Sequence, residues 1–479
     1  MADLHLIIDR TAGGIAGQIT HELRQAIRHG RLTAGARLPA SRELAKDLGL
    51  SRGVVVEAYE RLVAEGFLIS RVGAGTVVAP AAGGHPAVPG RDRVTSSPGP
   101  CPEPRATCPD LTAFPRARWL AALRAALAGL SADALDYGDP GGVPELREEL
   151  AAYLRRVRAA DVVPDNLVIV GGVAQGLSLA VRTLHERAVA GGHLPGRPSR
   201  RGARPAPSSA RIRLAVEDPT GPRQLPLLHA AGADPVAVPV DEEGVDVAAL
   251  AASGAQAVLL TPAHQYPTGV VLSPRRRAEL IEWAVATGAT ILEDDYDAEF
   301  RFDRDPVGCL QGLAPARVIL LGSVSKSLAP GLRLGWVAAP PEIAEAIRRA
   351  RAELDLGSPV LEQHALAGLV RGGVYDRQLR RMRREYRVRR DALVAALAEH
   401  LPEIRVRGVS AGLHLFAELP GGWDEPSAAA AARDCGLAVE PVAPMRFAPG
   451  PPALVTGFAR LPAHRAHEAV RALAAALLR

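Results

Sequence analysis

Of the 57 basic side chains, two are lysines, Lys46 and Lys326. Arginine serves every other cationic position, so each lysine is a candidate for work that a guanidinium cannot do, such as forming an imine with a carbonyl. Their surroundings separate them. Lys326 sits in Gly322-Ser323-Val324-Ser325-Lys326-Ser327-Leu328, just after the apolar run Val318–Leu321, with Arg333 seven residues further on. Glu293-Asp294-Asp295-Tyr296-Asp297 follows another apolar run, Thr290–Leu292, and is a cluster of carboxylates with a phenol, at a place where burial is costly without a cationic partner. Gly171-Gly172-Val173-Ala174-Gln175-Gly176 follows Leu167–Val170 and reads as a glycine turn into a helix whose first amides can cradle a phosphate.

The elements that must position these groups follow from the apolar runs. Leu167–Val170, Ile212–Val216, Val236–Val238, Ala257–Leu260, Thr290–Leu292 and Val318–Leu321 alternate with helical patterns, which predicts a mainly parallel α/β sheet. Ligands of such sheets collect at the carboxyl ends of the strands. Amine, carboxylate, phenol, hydroxyls and arginine then converge at one end of one sheet. Pyridoxal 5'-phosphate asks for that set: an amine for its aldehyde, a carboxylate for its ring nitrogen, a donor for O3', and amides, hydroxyls and Arg for its phosphate. The bland alternative is a surface lysine beside a solvated acidic loop. A Mg²⁺ ion on Asp294, Asp295 and Asp297 would leave the Ser-x-Ser-Lys run and Arg333 unexplained, so no metal is expected.

The N-terminal residues read differently. Ile15, Ile19, Leu23 and Ile27 share one face of a helix ending near His29-Gly30. Ser41 is expected to cap a short helix carrying Leu44, Ala45 and Leu48. After a Gly49-Leu50 turn, Ser51 caps a longer one with Val55, Ala58, Leu62 and Val63 on its apolar face. Leu68–Arg71 and Thr76–Val78 flank Gly73-Ala74-Gly75 as a hairpin. A helix-turn-helix with a β-wing puts the start of its second helix in the major groove. Arg52 could then fork onto a guanine edge and Arg42 and Ser51 could hold phosphates, while Gly53 allows close backbone approach. A small helical domain for protein contacts is the competing reading. Lys46 falls on the first helix of the pair, where a solvated or phosphate-facing role suits it.

The whole chain has 479 residues, 48% of them hydrophobic, enough for two or three domains with sizeable cores. Four cysteines without a CxxC pair favour a reducing cytoplasm over a disulfide framework. The start of the chain lacks a signal-peptide pattern, and no uncharged apolar run approaches ~18 residues, so neither secretion nor a membrane span is expected. The net charge of +5 permits a polyanionic partner without requiring one. Pro, Gly and Ala from about Pro80 to Pro109 read as a linker. A second break near Gly191–Ser209 lies within an Arg-rich, acid-free stretch, 187–213, that reads as a solvated surface insertion, with contact to DNA phosphate or a partner as the sharper alternative. The eight Arg between Arg377 and Arg390 read as the solvated face of a long helix.

Two resemblances sharpen these readings. Leu38-Pro39-Ala40-Ser41-Arg42-Glu43-Leu44-Ala45, Leu48-Gly49-Leu50-Ser51-Arg52, Ala58-Tyr59-Glu60-Arg61-Leu62, Glu65-Gly66-Phe67 and Gly73-Ala74-Gly75-Thr76 resemble the winged helix of the GntR family. The resemblance implies that Arg42, Ser51, Arg52, Gly53 and Gly73 meet DNA. Tyr137-Gly138-Asp139-Pro140, Thr261-Pro262-Ala263-His264-Gln265-Tyr266-Pro267-Thr268-Gly269, Glu293–Asp297 and Ser325-Lys326-Ser327-Leu328-Ala329-Pro330 resemble a fold-type I aminotransferase-like domain. In that order the two resemble the MocR subfamily of regulators. The resemblance implies that Lys326 forms the internal aldimine, Asp294 partners the ring nitrogen, Tyr296 donates to O3', and Ser323 and Arg333 bind phosphate. Val173-Ala174 stands where the family usually has Ser-Gln, leaving its amides to help. Tyr266 stands where free-standing aminotransferases have an Asn. Gly221 replaces a ring-stacking Tyr, which leaves tight cofactor binding and efficient transamination less well supported.

The expected architecture is therefore a winged helix-turn-helix over residues 1–79, a linker over 80–110, and an aminotransferase-like domain over 111–479. That domain would have a large mainly parallel subdomain at about 140–340 and a smaller α+β subdomain at about 341–479. The expected function is a pyridoxal-phosphate-dependent DNA-binding transcriptional regulator in the cytoplasm, a homodimer by family resemblance. It would sense the cofactor or an amino compound and control vitamin B6 or amino acid metabolism, with little or no transaminase turnover. Arg223, Arg446 and Arg460 are candidate partners for an effector's carboxylate. The alternative is a working class I/II aminotransferase carrying a DNA-binding module. A DNA architectural protein would leave the cofactor constellation without purpose.

Overall fold

The computed structural model describes residues 6, 8–71, 75–80, 105–191, 211–302 and 307–477. They belong to two compact units, Met1–Pro102 and Glu103–Arg479.

In the first unit, α1 (Ile15–Arg28), α2 (Ser41–Leu48) and α3 (Arg52–Ala64) are followed by a hairpin of β1 (Leu68–Arg71) and β2 (Gly75–Val78), paired antiparallel from Leu68↔Val78 to Arg71↔Gly75. Ile19, Leu23 and Ile27 of α1 pack with Leu44, Val55, Ala58, Leu62, Leu68 and Val78 in one core. Two expectations need correction. Ser41 is the first helical residue, not the cap; Ala40 holds that position, and its N–H donates to the Glu43 carboxylate at 3.3 Å. Val63 is 37% exposed, whereas Tyr59 is buried and donates its hydroxyl to the Pro39 carbonyl at 3.0 Å. Val55, Ala58, Tyr59 and Leu62 have the i, i+3, i+4, i+7 spacing of one face, and position 63 falls off it. Ser51 does hold the N-cap position of α3, in extended conformation. Gly73 lies outside the described residues.

The second unit is built on an eight-stranded sheet of β3 (Leu167–Val170), β4 (Ile212–Asp218), β5 (Ala233–Asp241), β6 (Gly244–Val245), β7 (Ala257–Leu260), β8 (Thr290–Asp295), β9 (Val318–Ser323) and β10 (Gly335–Ala338). Its order is β3-β10-β9-β8-β7-β4-β5-β6, and β9, β8, β7, β4 and β5 are parallel neighbours. Every run read as a strand is one. Two strands of the sheet are not revealed by the runs: the two-residue β6, antiparallel to β5 at the edge, and β10, which enters antiparallel between β3 and β9. Both faces are buried: Leu167, Ile169, Leu320 and Trp336 point into one core, Val168, Val170, Leu321 and Val337 into another. A second sheet, β11 (Arg405–Arg407), β12 (His414–Glu418), β14 (Ala453–Gly457) and β13 (Ala438–Pro441) in that order, is wholly antiparallel.

Helices α5 (Pro144–Arg158), α6 (Val173–Ala190), α7 (Gln224–Ala230), α8 (Val247–Ala252) and α9 (Pro274–Thr287) alternate with the strands of the large sheet, while α4 (Arg116–Gly129) packs on α11 (Val360–Arg371). Helix α10 (Pro341–Leu354) precedes α11, and α12 (Val374–His400), α13 (Glu425–Asp434) and α14 (Ala466–Leu477) follow it. Helix α10, expected to open the smaller subdomain, lays Ile343, Ala344 and Ile347 against the large sheet instead. The Arg-dense run lies on α12, where Arg377, Arg380, Arg381, Arg384 and Arg387 are exposed as expected. Arg383 and Arg389 are not solvated in that way: Arg383 donates to the Glu299 carbonyl and Arg389 pairs with Asp110 at 2.9 Å. The linker expectation runs too far. Residues 105–110 are part of the second unit, with Ala106 buried and the Asp110 N–H donating to the Tyr386 hydroxyl at 2.8 Å. Residues 192–210, the bulk of the Arg-rich insertion, lie outside the described residues. No helix among the described residues is long and apolar enough to cross a membrane.

Candidate cofactor site and DNA-facing helix

Parallel strands bring their carboxyl ends together, and here they bring Val170, Asp218, Asp294 and Ser323 to one edge. A cavity of about 360 Å³ opens there, lined by Lys326, Asp294, Tyr296, Ser323, Arg333, Val173, Ala174 and Tyr266. All eight cofactor residues named from the sequence meet in it. A larger cavity of about 640 Å³ lies elsewhere, beside Asp241, Ser273 and Phe416, with Arg407 between Glu242 and Glu418. It contains none of these groups, so the smaller cavity is the candidate site.

At one end of the cavity, the half-buried Lys326 amine donates to the Thr107 carbonyl at 2.9 Å and the Thr107 hydroxyl at 3.3 Å. Burial lowers its pKa, favouring the neutral amine that a nucleophile must be, although the Asp297 and Asp294 charges oppose that shift. Asp294 is 6% exposed. Its Oδ2 accepts from Gln224 Nε2 at 3.3 Å, and its buried Oδ1 has no hydrogen-bond partner. Burial pushes this carboxyl up to about 7, against the lowering effect of Gln224. A buried oxygen of this kind asks for a donor, and a protonated ring nitrogen is one.

Tyr296 donates its hydroxyl to the His264 carbonyl at 3.1 Å, and the same oxygen lies 3.1 Å from His264 Nδ1. That ring nitrogen is also 2.9 Å from Asp297 Oδ2. Burial holds the phenol well above its usual pKa, so it remains a donor. The Tyr266 ring stands edge-on to Tyr296 and fills the space beside Gly221, where a side-chain carbon would come within 3.5 Å of it.

The start of α6 also borders the cavity. Gly172 caps it at φ 92°, a left-handed conformation that glycine tolerates, and a side chain there would crowd the Arg333 guanidinium at 3.1 Å. Arg333 donates to the Gly171 carbonyl. The intrahelical bonds begin with the amides of Gln175 and Gly176 on Gly172 O, so those of Val173 and Ala174 precede the ladder. With Ser323, Ser325 and Arg333 also lining the cavity, these amides make a set of donors suited to an anion. The residues present therefore fit pyridoxal phosphate at amine, ring nitrogen and phosphate.

Of the three arginines considered for an effector, Arg223 lines the cavity and lies 3.5 Å from Glu440. Arg446 and Arg460 do not line it. Arg446 donates to the Pro451 carbonyl, and Arg460 is exposed beyond the end of β14. Residues not singled out from the sequence also line the site: Arg105, Thr107, Gln224 and Glu440. The shorter of the two Thr107 contacts is through its backbone carbonyl, which any residue offers, and Thr107 sits in a stretch whose composition reads as linker.

In the first unit, Arg42, Ser51, Arg52 and Gly53 are all exposed at the starts of α2 and α3. Arg52 Nε donates to Ser41 Oγ at 3.5 Å, tying the two helix starts together. A side-chain carbon at Gly53 would meet nothing closer than Ser51 Oγ at 4.0 Å. Lys46 is exposed on α2.

Residues 15–78 match the bacterial regulatory proteins of the gntR family, and residues 212–477 match aminotransferase class I and II. The chain is 34% identical to the HTH-type pyridoxine biosynthesis transcriptional regulator PdxR of Corynebacterium glutamicum, over 86% of this chain and 85% of that one. It is 29% identical to the probable rhizopine catabolism regulatory protein MocR of Rhizobium meliloti, over 99% and 96% respectively. Among solved structures, an archaeal alanine:glyoxylate aminotransferase superposes with TM-score 0.67 at 27% identity, covering 78% of this chain and 90% of that one. The α-aminoadipate aminotransferase LysN of Thermus thermophilus, complexed with N-(5'-phosphopyridoxyl)-L-leucine, superposes with TM-score 0.66 at 26% identity, over 78% and 91%.

Proposed function

Because the chain belongs to the GntR-type transcriptional regulators that carry an aminotransferase class I and II domain, the MocR kind, we propose that it is a cytoplasmic homodimer whose second unit senses pyridoxal phosphate, or an amino compound captured by it, and thereby sets how its winged helices bind promoter DNA. The observation that carries this reading is the buried, unpartnered Asp294 Oδ1 in one cavity with Lys326, in a chain that begins with a winged helix. When bound, the cofactor supplies an aldehyde that captures primary amines.

The protein's own residues do the rest. Lys326 attaches the cofactor, Asp294 accepts from its ring nitrogen, and Tyr296 donates to its O3'. The amides of Val173 and Ala174, with Ser323 and Arg333, hold the phosphate, while Tyr266 walls the ring. Of the three arginines considered for an effector carboxylate, Arg223 is the one at the cavity, and taking that role requires it to leave Glu440. Arg42, Ser51, Arg52, Gly53 and the wing at Gly73 contact DNA. The similarity to a pyridoxine biosynthesis regulator supports vitamin B6 metabolism as the controlled pathway.

The test is a gel shift of the full chain on its own upstream DNA, with and without pyridoxal phosphate and candidate amines. Specific binding that the cofactor changes is expected. Multiple-turnover amino transfer without specific DNA binding would instead support the aminotransferase alternative.

A further inference from the structure

We propose that Arg105–Thr107, the stretch by which the chain enters the second unit from the connection to the winged helix, is part of the ligand site and reads whether Lys326 carries a free amine. The inference rests on Lys326 being the cofactor's lysine.

The stretch is held at three points. Ala106 is 1% exposed; its N–H donates to Glu440 Oε1 at 3.1 Å, and the other oxygen of Glu440 lies 3.5 Å from Arg223. The carbonyl of Ala106 runs so close to β14 that a side-chain carbon at Gly457 would come within 2.2 Å of it. Asp110 is held by Tyr386 and Arg389. Between these anchors, Thr107 is held by Lys326 Nζ through its carbonyl at 2.9 Å and its hydroxyl at 3.3 Å. Arg105 and Thr107 both line the cofactor cavity.

Of these holds, the one at Thr107 uses a donor that the ligand's chemistry consumes. The neutral amine adds to the aldehyde carbon, a C=N bond forms, and the aldehyde oxygen leaves as water with the two protons of the nitrogen. That nitrogen then carries no hydrogen, or one when protonated, where the free amine offered two and the ammonium three. The single hydrogen of a protonated imine cannot serve both the Thr107 carbonyl and its hydroxyl as the amine did, and the unprotonated imine serves neither, so the half-buried stretch loses at least one of its hydrogen bonds. The stretch is thereby loosened in the segment that continues toward the DNA-binding unit. Capture of an aldehyde is thus read by the backbone that tethers the winged helix, with Glu440 coupling the same stretch to Arg223.

Hydrogen exchange on the full-length protein tests this. The arms are ligand-free wild type, ligand-free Lys326→Met, wild type with pyridoxal phosphate, and wild type with 4-deoxypyridoxine 5'-phosphate, which has the ring and phosphate but no aldehyde. The amides of Ala106, Thr107, Cys108 and Asp110 should exchange about tenfold faster in Lys326→Met and with pyridoxal phosphate, but not with the deoxy analogue. Thr107→Val, which removes the hydroxyl acceptor alone, should give a smaller increase and covers the case in which Lys326→Met does not fold. Equal exchange in ligand-free wild type and both variants, or equal loosening by the deoxy analogue, would overturn the proposal. Absence of a visible absorbance band with pyridoxal phosphate would overturn the assignment of Lys326 itself, while the ligand-free comparison still decides whether the amine holds the stretch.

Discussion

Asp294 shows the conflict between binding and stability at a single side chain. Its carboxyl has an ordinary pKa of 3.8 and is pushed up to about 7 by burial when no ligand is present. A carboxyl that holds its proton more tightly in the folded state contributes stability that is fully present below 3.8 and is lost as pH rises through about 7. Asp294→Asn should therefore make the ligand-free protein more stable at pH 8 by about 2 kcal/mol, a gain that disappears near pH 4, as thermal melts at the two pH values would show. The same variant should weaken pyridoxal phosphate at least ~10-fold in a fluorescence titration, because the ring nitrogen loses its charged partner. Lys326→Ala should bind the cofactor without the visible absorbance of its attached form; retention of that absorbance would move the attachment elsewhere. These residues are legible in the sequence because the chemistry demands particular side chains after particular strands. Thr107 is not legible, since its carbonyl leaves no mark on residue type. The His264 contact to Tyr296 is hidden for another reason: it joins loops 32 residues apart and depends on how they fold together.

The ends of β8, β9 and β3 give the site its geometry, and the sheet's own interior fixes those ends. Asp295 closes β8 and is bound by both Nε and Nη2 of Arg158, a pair exposed by 7% and 1%. Removing one partner leaves an uncompensated buried charge, so Arg158→Ala should cost roughly 3–5 kcal/mol. Through the shift of β8, it should also weaken cofactor binding, although Arg158 does not line the cavity; a calorimetric melt and a titration on the same sample would measure both. The apolar runs predict six strands correctly: β3, β7 and β9 are buried along their whole length and must be apolar throughout, and the partly exposed β5 is still marked by its valines. Strand β10, Gly335-Trp336-Val337-Ala338, is no shorter than β3 or β7 but opens on a glycine, and its antiparallel entry between β3 and β9 is a matter of chain path rather than composition. Helix α10 is misplaced for a related reason: an amphipathic helix announces that it has a core, not which one.

Across the whole molecule, the order of the two units is what turns a cofactor site into a regulator's site, and that order is plain in the sequence. The effector is less plain, because carboxylate recognition needs one well-placed arginine in a chain that uses Arg for nearly every cationic position. The structure leaves Arg223 at the cavity and Arg446 and Arg460 away from it. If Arg52 reads a base edge, Arg52→Ala should weaken binding to operator DNA by about 1–3 kcal/mol and relax preference at one base pair. Arg42→Ala should instead weaken all sequences alike and reduce the salt dependence. The most direct test is the affinity of the full chain for its own upstream DNA, measured by fluorescence anisotropy at fixed salt, with and without pyridoxal phosphate, for wild type and Lys326→Ala. The expected result is a cofactor-dependent change in the wild type that Lys326→Ala abolishes. An affinity that the cofactor leaves unchanged, or changes equally in both proteins, would contradict the account.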